Sequence, residues 1–356
     1  MAPFSRRYLT PLGLVAGTAA GPLVASGGAR WLGHSGIAFT AVSVAQRQQG
    51  GTARALYPVT LLPPELEAQV ESLALGADDP LNRLGLAADR TLVMGIVNVT
   101  PDSFSDGGRF EGAAGIAHGR ALVAAGADLL DIGGESTRPG AAAVPVAEEI
   151  ARVVPVIAGL APLGVPISVD TRKAEVMAAA LDAGARLVND VAALGFDPAA
   201  RALVAQRRVP VILMHAQGEP ATMQVDPRYD DVLLDIFDWF AARIAWCGEG
   251  GIDPAQIVLD PGIGFGKTVA HNLALIDSLA LFHGLSRPIL LGASRKSFIG
   301  RLSSGEGAED RLGGSLAVAL AGAARGARLV RVHDVAETVQ ALRLATALDG
   351  VGAPQG

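Results

Sequence analysis

Asn98, Asp131, Asp170, Asn189, His215, Asp260, Ser294 and the pair Arg331/His333 share one habit: each stands at or beside the end of a short apolar run. Their types define a chemistry. Carboxylates and amides together suit a flat heterocycle with several N–H donors and ring acceptors. Lys296, Arg331 and His333 add donors for a carbonyl oxygen and for phosphate oxygens. A molecule with both halves is a pterin that carries a phosphate ester. Any one of these residues is equally well explained as the start of a loop or the cap of a helix. Gathered at one place, they would line a pocket.

Gathering them requires a particular scaffold. The apolar runs are Leu92–Val97, Leu129–Ile132, Ile167–Val169, Leu187–Val188, Val211–Met214, Ile257–Leu259, Ile289–Leu291 and Leu329–Val332. A Gly- or Pro-containing loop and a helical pattern follow each. Pro145 to Ala161 is one such pattern, with Ile150, Val153, Val154 and Ile157 on one face and Glu148 and Glu149 near its positive end. The last helix opens with Asp334 and Glu337 spaced as a capping box, ahead of an apolar face of Val335, Val339 and Leu342. Continuous apolar strands alternating with amphipathic helices predict an α/β fold with a parallel sheet covered by helices. Eight such units in about 260 residues predict a (β/α)8 TIM barrel over residues 91–350, with an open doubly wound sheet as the alternative. A closed barrel brings every strand's carboxyl end to one face, where barrel enzymes do their chemistry.

Residues 1–90 read as an N-terminal extension without a clear period. Ile37–Val44 and Thr52–Leu62 predict short strands, Pro64–Leu75 a helix, and Gly27-Gly28 and Gly50-Gly51 turns. Ser5-Arg6-Arg7-Tyr8-Leu9 superficially resembles a twin-arginine export signal, but Gly13, Gly17, Gly21 and Pro22 break the apolar stretch behind it. That stretch is too short to span a bilayer, and a cytoplasmic location is expected. The 29 basic and 35 acidic residues give a net charge of −6 without a basic block, which argues against a nucleic-acid partner. The single cysteine, Cys247, excludes an internal disulfide and reads as core filler at a helix end. With no Cys/His cluster, a structural zinc site is not expected. His34, His118 and His283 read as surface or helix-face residues, His215 as a pocket wall, and His271 as an aid to ordering the loop before it.

Five loop segments carry motifs. Asn98–Gly108 and Asp131–Gly140 are long, polar and Gly-rich, suited to paired lids over the active face. Asp260-Pro-Gly-Ile-Gly-Phe-Gly-Lys-Thr nearly reproduces a phosphate-binding loop, but Pro261 occupies its first glycine position, which argues against a nucleotide hydrolase. Its glycines instead let backbone and Phe265 pass close to a flat ligand. Gly292-Ala-Ser-Arg-Lys-Ser-Phe enters a helical turn, where Lys296 either snorkels or binds, Arg295 is free to pair with a carboxylate, and backbone N–H groups suit a carboxylate ligand. Strand alternation puts Arg331 and His333 on one side, in reach of the same phosphate.

Together these segments resemble the dihydropteroate synthases. The similarity runs from Val93 to Leu348 in that family's order, carried by Asn98–Gly108, Asp131–Gly140, Asp260–Lys267, Ser294–Ser297 and Arg331–His333. The resemblance implies that 6-hydroxymethyl-7,8-dihydropterin pyrophosphate is condensed with p-aminobenzoate. It implies that Asp170, Asn189, Asp260 and Lys296 hold the pterin edge, Met214 and Phe265 wall its ring, and Arg331 stacks over it. Asn98, Arg331 and His333 would bind pyrophosphate, with Asn98 helping to ligate Mg2+. Phe104, Thr137, Arg138, Pro139 and Ser297 would surround p-aminobenzoate. Lys296, Arg331, His333 and Asp170 are the expected catalytic residues, and a homodimer is implied. A pterin-dependent methyltransferase of the same fold is the alternative; the second loop, Ser-Arg-Lys-Ser and Arg-Val-His speak against it.

Overall fold

The structure is a computed structural model that describes residues 6–33, 35–76, 78–100, 111–136, 143–218 and 223–350. The chain begins with a small antiparallel lobe: β1 (Arg7–Ala16), α1 (Ala20–Ala25), β2 (Arg30–Trp31), β3 (Ile37–Gln48), β4 (Gly51–Pro58) and α2 (Pro64–Leu75). β3 is central, pairing with β1 along one edge and with β2 and β4 along the other. Phe39, Val42, Leu66 and Val70 are buried between this sheet and α2. The strand and helix expectations for this region hold, except that the second strand ends at Pro58 and gives way to a 3-10 turn over Val59–Leu61. The segment with the export-like motif forms β1, which accommodates Pro11 and Gly13 because it is an edge strand.

Eight parallel strands follow, each leading to helical structure: β5 (Leu92–Asn98), α3 (Glu111–Ala124), β6 (Leu129–Gly133), α4 (Val146–Leu160), β7 (Ile167–Asp170), α5 (Ala174–Asp182), β8 (Leu187–Asp190) and α6 (Ala200–Arg207). The second half contains β9 (Val211–Met214), α7 (Val232–Glu249), β10 (Ile257–Asp260), α8 (Val269–Asp277), β11 (Leu290–Leu291), α9 (Ser297–Leu302), α10 (Leu312–Ala323), β12 (Leu329–Val332) and α11 (Val335–Leu348). Hydrogen bonding runs in the order β10-β9-β8-β7-β6-β5-β12-β11, and a parallel bridge between Leu259 and Ile289 joins the two ends. The sheet is a closed barrel.

The period of two along each strand sorts the side chains. Val169, Val188, Leu213, Leu259 and Val330 point outward into the core beneath the helices. Leu129, Leu187, Ile212, Val258, Leu290 and Leu329 point inward and pack as a dry layer near the barrel's amino end, capped by Leu81 with Leu84 and Leu86 against it. Two residues further along those same strands stand Asp131, Asn189, Met214, Asp260, Gly292 and Arg331. The alternation that buries a leucine below therefore delivers the functional layer above. Of the predicted face of α4, Val153 and Ile157 are buried and Ile150 and Val154 half-buried; Val156 is buried as well, and Glu149 is fully buried rather than merely facing the helix's positive end. Cys247 lies buried near the end of α7 as expected, and burial pushes its thiol up to about 11.

Candidate active site

The carboxyl mouth of the barrel is tied together by one buried acid. Asp131, fully buried on β6, accepts Arg331 Nε from β12 at 2.6 Å and Asn189 Nδ2 from β8 at 3.0 Å through the same oxygen. Arg331 Nη2 donates to Asp170 Oδ2 on β7 at 2.8 Å. Asp260, at the end of β10, accepts Gly262 N at 2.7 Å. Gly292 lies between these groups: a Cβ there would sit 3.5 Å from Asp260 Oδ2 and 3.9 Å from Arg331 Cβ, so the missing side chain keeps the centre open. Lys296 reaches in from the loop after β11, donates to Ile263 O and stands 4.5 Å from the centroid of the Phe265 ring. Met214 is buried beside Asp260 in the strand register.

Burial sets the electrostatics. It pushes the Asp170 carboxyl up, since Arg331 must serve two acids and Asp131, Asp190 and Glu149 add to the local negative charge. Asp260 is likewise raised by burial, against the pull of Lys296. Burial lowers the Lys296 ammonium to about 8, with Asp260 resisting. The Arg331 guanidinium is desolvated too, but Asp131 and Asp170 hold its charge firmly in place. Two buried polar atoms here, Asp131 Oδ1 and Ser168 Oγ, have no hydrogen-bond partner, and their residues face each other across β6 and β7. Buried polar atoms are ordinarily satisfied, so this mouth suits a polar ligand.

A second group lies at the ends of β11 and β12. Ser294 Oγ stands 3.0 Å from His333 Nδ1 and accepts His333 N at 3.2 Å. Asn98 ends β5, half-buried, and Ser297 is exposed at the first residue of α9. Phe104, Thr137, Arg138, Pro139 and His34 lie outside the described residues.

Some expectations need correction. Asp334 does not cap α11 with its side chain; it pairs with Arg295, whose Nε is 3.0 Å from Asp334 Oδ2, because a guanidinium in reach outcompetes a backbone N–H for the carboxylate. His215 is no wall of the mouth: it is buried against Trp239 of α7 and stands 3.0 Å from Lys267 Nζ. His283 is only half-exposed and its Nε2 is buried without a hydrogen-bond partner. His271 does order its loop, sharing a reciprocal capping box with Thr268.

The comparisons agree with this geometry. A family model described as pterin binding enzyme matches residues 94–333. A dihydropteroate synthase of Escherichia coli (strain K12) is 49% identical over 257 residues, covering 72% of this chain and 90% of that protein. One from Neisseria meningitidis serogroup B is 49% identical over 272 residues, covering 75% and 95% of the two chains. This chain belongs to the dihydropteroate synthase family. Among solved structures, a Xanthomonas albilineans dihydropteroate synthase with 4-aminobenzoic acid superimposes with a TM-score of 0.70 at 52% identity, over 74% of this chain and 95% of that one. The same enzyme in complex with 7,8-dihydropteroate gives 0.69 at 49% identity, over 75% and 97%. The span matched by the family model runs from β5 to His333, leaving the antiparallel lobe outside it.

Two supports of the mouth escaped the sequence reading. Lys267 is buried and donates to His215 O at 3.2 Å and Phe265 O at 3.0 Å, which pins the loop after β10; burial lowers its ammonium to about 7. Lys173 is buried between Glu149 at 2.6 Å and Glu135 at 3.2 Å and donates to Val144 O at 2.6 Å. Glu135 also accepts Val144 N at 2.9 Å, so this cluster anchors both ends of the loop after β6. The signal for Lys173 was its position just past a strand end, in Asp170-Thr-Arg-Lys173.

Proposed function

We propose that this member of the family joins 6-hydroxymethyl-7,8-dihydropterin pyrophosphate to p-aminobenzoate, releasing 7,8-dihydropteroate and pyrophosphate. The observation that carries this reading is the convergence of Asp170, Asn189, Asp260, Lys296 and Arg331 on one mouth with an open centre over Gly292. Asp260 would accept from the pterin amino group and ring N–H, Asn189 and Asp170 would meet the remaining edge, and Lys296 would donate to the ring carbonyl. Met214 and Phe265 would wall the ring and Arg331 would stack over it. Asn98, Arg331 and His333 would receive pyrophosphate. Phe104, Thr137, Arg138, Pro139 and Ser297 are the proposed arylamine contacts.

The reaction breaks the bond between the pterin methylene carbon and the pyrophosphate oxygen and forms a C–N bond to the arylamine, which then loses a proton. The arylamine nitrogen is neutral at ordinary pH, so no strong base is demanded of the chain. The difficult event is charge separation at the leaving oxygen. Donors fixed in advance, the Arg331 guanidinium and the His333 imidazole, would stabilise it at a typical worth of a few kcal/mol per donor. The pterin can share positive charge at the methylene, so the C–O bond breaks ahead of attack. A trapped complex showing simultaneous bond making and breaking would refute that order. Among the described residues no group of three or more His, Cys, Asp and Glu could cage a metal. An amide oxygen from Asn98 nevertheless fits magnesium that arrives with pyrophosphate, since this ion keeps several waters and takes few protein ligands. Bound there, it supplies charge neutralisation on the leaving phosphate.

Among the described residues no helix is long and apolar enough to cross a membrane; a cytoplasmic location is proposed from the substrates. A homodimer through the late helices is proposed as well, supported by Leu344 and Leu348 exposed on α11. The deciding experiment mixes the chain with magnesium, dihydropterin pyrophosphate and p-aminobenzoate and follows pyrophosphate release. Release that requires both organic substrates is expected; none would overturn the reading.

A further inference from the structure

The connection from β9 to α7 runs beside the loop that follows β10, and side chains bind the two together. Tyr229 donates its hydroxyl to Gly266 O at 2.9 Å, and Gln224 donates to Gly264 O. Gly266 approaches so closely that a Cβ on it would lie 2.3 Å from Gln217 O. Phe265 hangs between these ties, and the Ile263 carbonyl that receives Lys296 lies just ahead of them. The far end of the connection is fixed by acids at the start of α7. Asp231 caps the helix through Leu233 N and Leu234 N at 3.1 and 3.2 Å. Asp235 accepts Asp230 N at 2.8 Å and Asp231 N at 3.2 Å. Both acids also face the antiparallel lobe: Arg54 of β4 meets Asp231 at 2.8 Å and Arg47 of β3 meets Asp235 at 2.7 Å. One turn on, Asp238 receives the Tyr8 hydroxyl at 2.7 Å and Arg6 at 2.5 Å.

We infer that the antiparallel lobe positions the pterin side of the active site, acting through Arg47 and Arg54 on Asp235 and Asp231 and onward through Tyr229 to the loop that carries Phe265. The inference rests on the pterin pocket proposed above. Its physical reason lies in that loop's backbone. Gly262, Gly264 and Gly266 all hold positive φ, at +70°, +83° and +64°, and glycines constrain the chain least. The loop's shape therefore depends on ties to its neighbours: Asn272 of α8 accepts Gly264 N at 2.7 Å and Lys267 reaches His215 O, and Tyr229 and Gln224 add two more from a connection whose end the lobe clamps. The Ser294–His333 pair and the Glu135–Lys173 anchor sit on other strands and loops. Loosening the clamp thus disturbs the ring wall and the seat of Lys296 while leaving the anchor of the loop after β6 in place.

The test uses the full chain carrying Arg47→Ala and Arg54→Ala together. The KM for dihydropterin pyrophosphate rises roughly three- to tenfold, while kcat and the KM for p-aminobenzoate stay within about twofold, a span in keeping with coupling through packed networks. In the ligand-free protein, backbone amides of residues 262–268 exchange hydrogen faster and those of β5 to β8 do not. Arg47→Lys with Arg54→Lys recovers most of both effects. Arg54→Ala alone removes only a half-exposed pair and moves both readouts the same way by less, which serves if the double variant does not fold. Unchanged exchange at 262–268 with an unchanged pterin KM overturns the inference. So does an equal loss in every kinetic constant alongside a lower Tm, the mark of a merely structural lobe. A wild-type chain without turnover would instead sink the functional reading and leave hydrogen exchange to decide the coupling.

Discussion

Lys296 and Asp260 attract each other across the mouth, and each is desolvated there. Lys296→Ala and Asp260→Ala should each lower kcat/KM by at least about a hundredfold, as loss of a buried charged contact does, while circular dichroism stays native. An active Asp260→Ala enzyme would refute the pterin assignment. Because burial brings the Lys296 ammonium to about 8, its charge is lost as pH rises through that value, so activity should decline above pH 8 in a pH–rate profile. Lys296→Arg should move that limb upward even if it lowers the plateau. Asp170 works in the opposite sense on stability. Its folded carboxyl is raised above the unfolded value, so its contribution is full below about pH 4 and is lost as pH rises through the raised value. Asp170→Asn should flatten that part of the Tm-versus-pH curve; an unchanged slope would disprove the assignment. The residues at the mouth were legible because strand alternation places them two positions beyond a buried leucine. Asp131 as the holder of Arg331 was not, since the two stand 200 positions apart in sequence and only barrel closure brings them together.

At the scale of elements, the anchor of the loop after β6 makes the sharpest prediction. Glu149 is fully buried and Lys173 nearly so. Removing one partner of a buried ion pair strands the other, so Lys173→Ala should cost about 3–5 kcal/mol, read as a lower midpoint in urea. Lys173→Met with Glu149→Leu should cost much less; an equal loss would mean packing rather than charge governs the site. Gly262 offers a backbone counterpart. Its φ is +70°, and a Cβ there would lie 1.9 Å from His215 O, so Gly262→Ala should lower both Tm and pterin affinity. The barrel strands and α2 could be read from pattern, whereas β1 could not, because Pro11 and Gly13 interrupt its alternation and only pairing with β3 makes it a strand. Glu149 misled for a related reason: its place in the first turn of α4 was visible, but the lysine it meets comes from the next strand's loop.

For the molecule as a whole, the lobe and barrel share a core. Tyr8 and Ala45 from the lobe pack into the same apolar cluster as Val97 and Phe240, and Ala280 from the barrel packs into the lobe's own cluster. Scanning calorimetry should therefore show one cooperative transition; two separated peaks would contradict this shared packing. The role of the lobe was the least legible part of the chain, since Arg47 and Arg54 acquire meaning only when α7 presents Asp235 and Asp231 to them. At the opposite end of the barrel from the mouth, Leu81 seals the inner leucine layer. The barrel is thus a well with a solid bottom and one doorway. Under the seating proposed above, a group at its depth would arrive before, and depart after, anything lodged nearer the rim, so the pterin half of the substrate would be the last to clear the barrel.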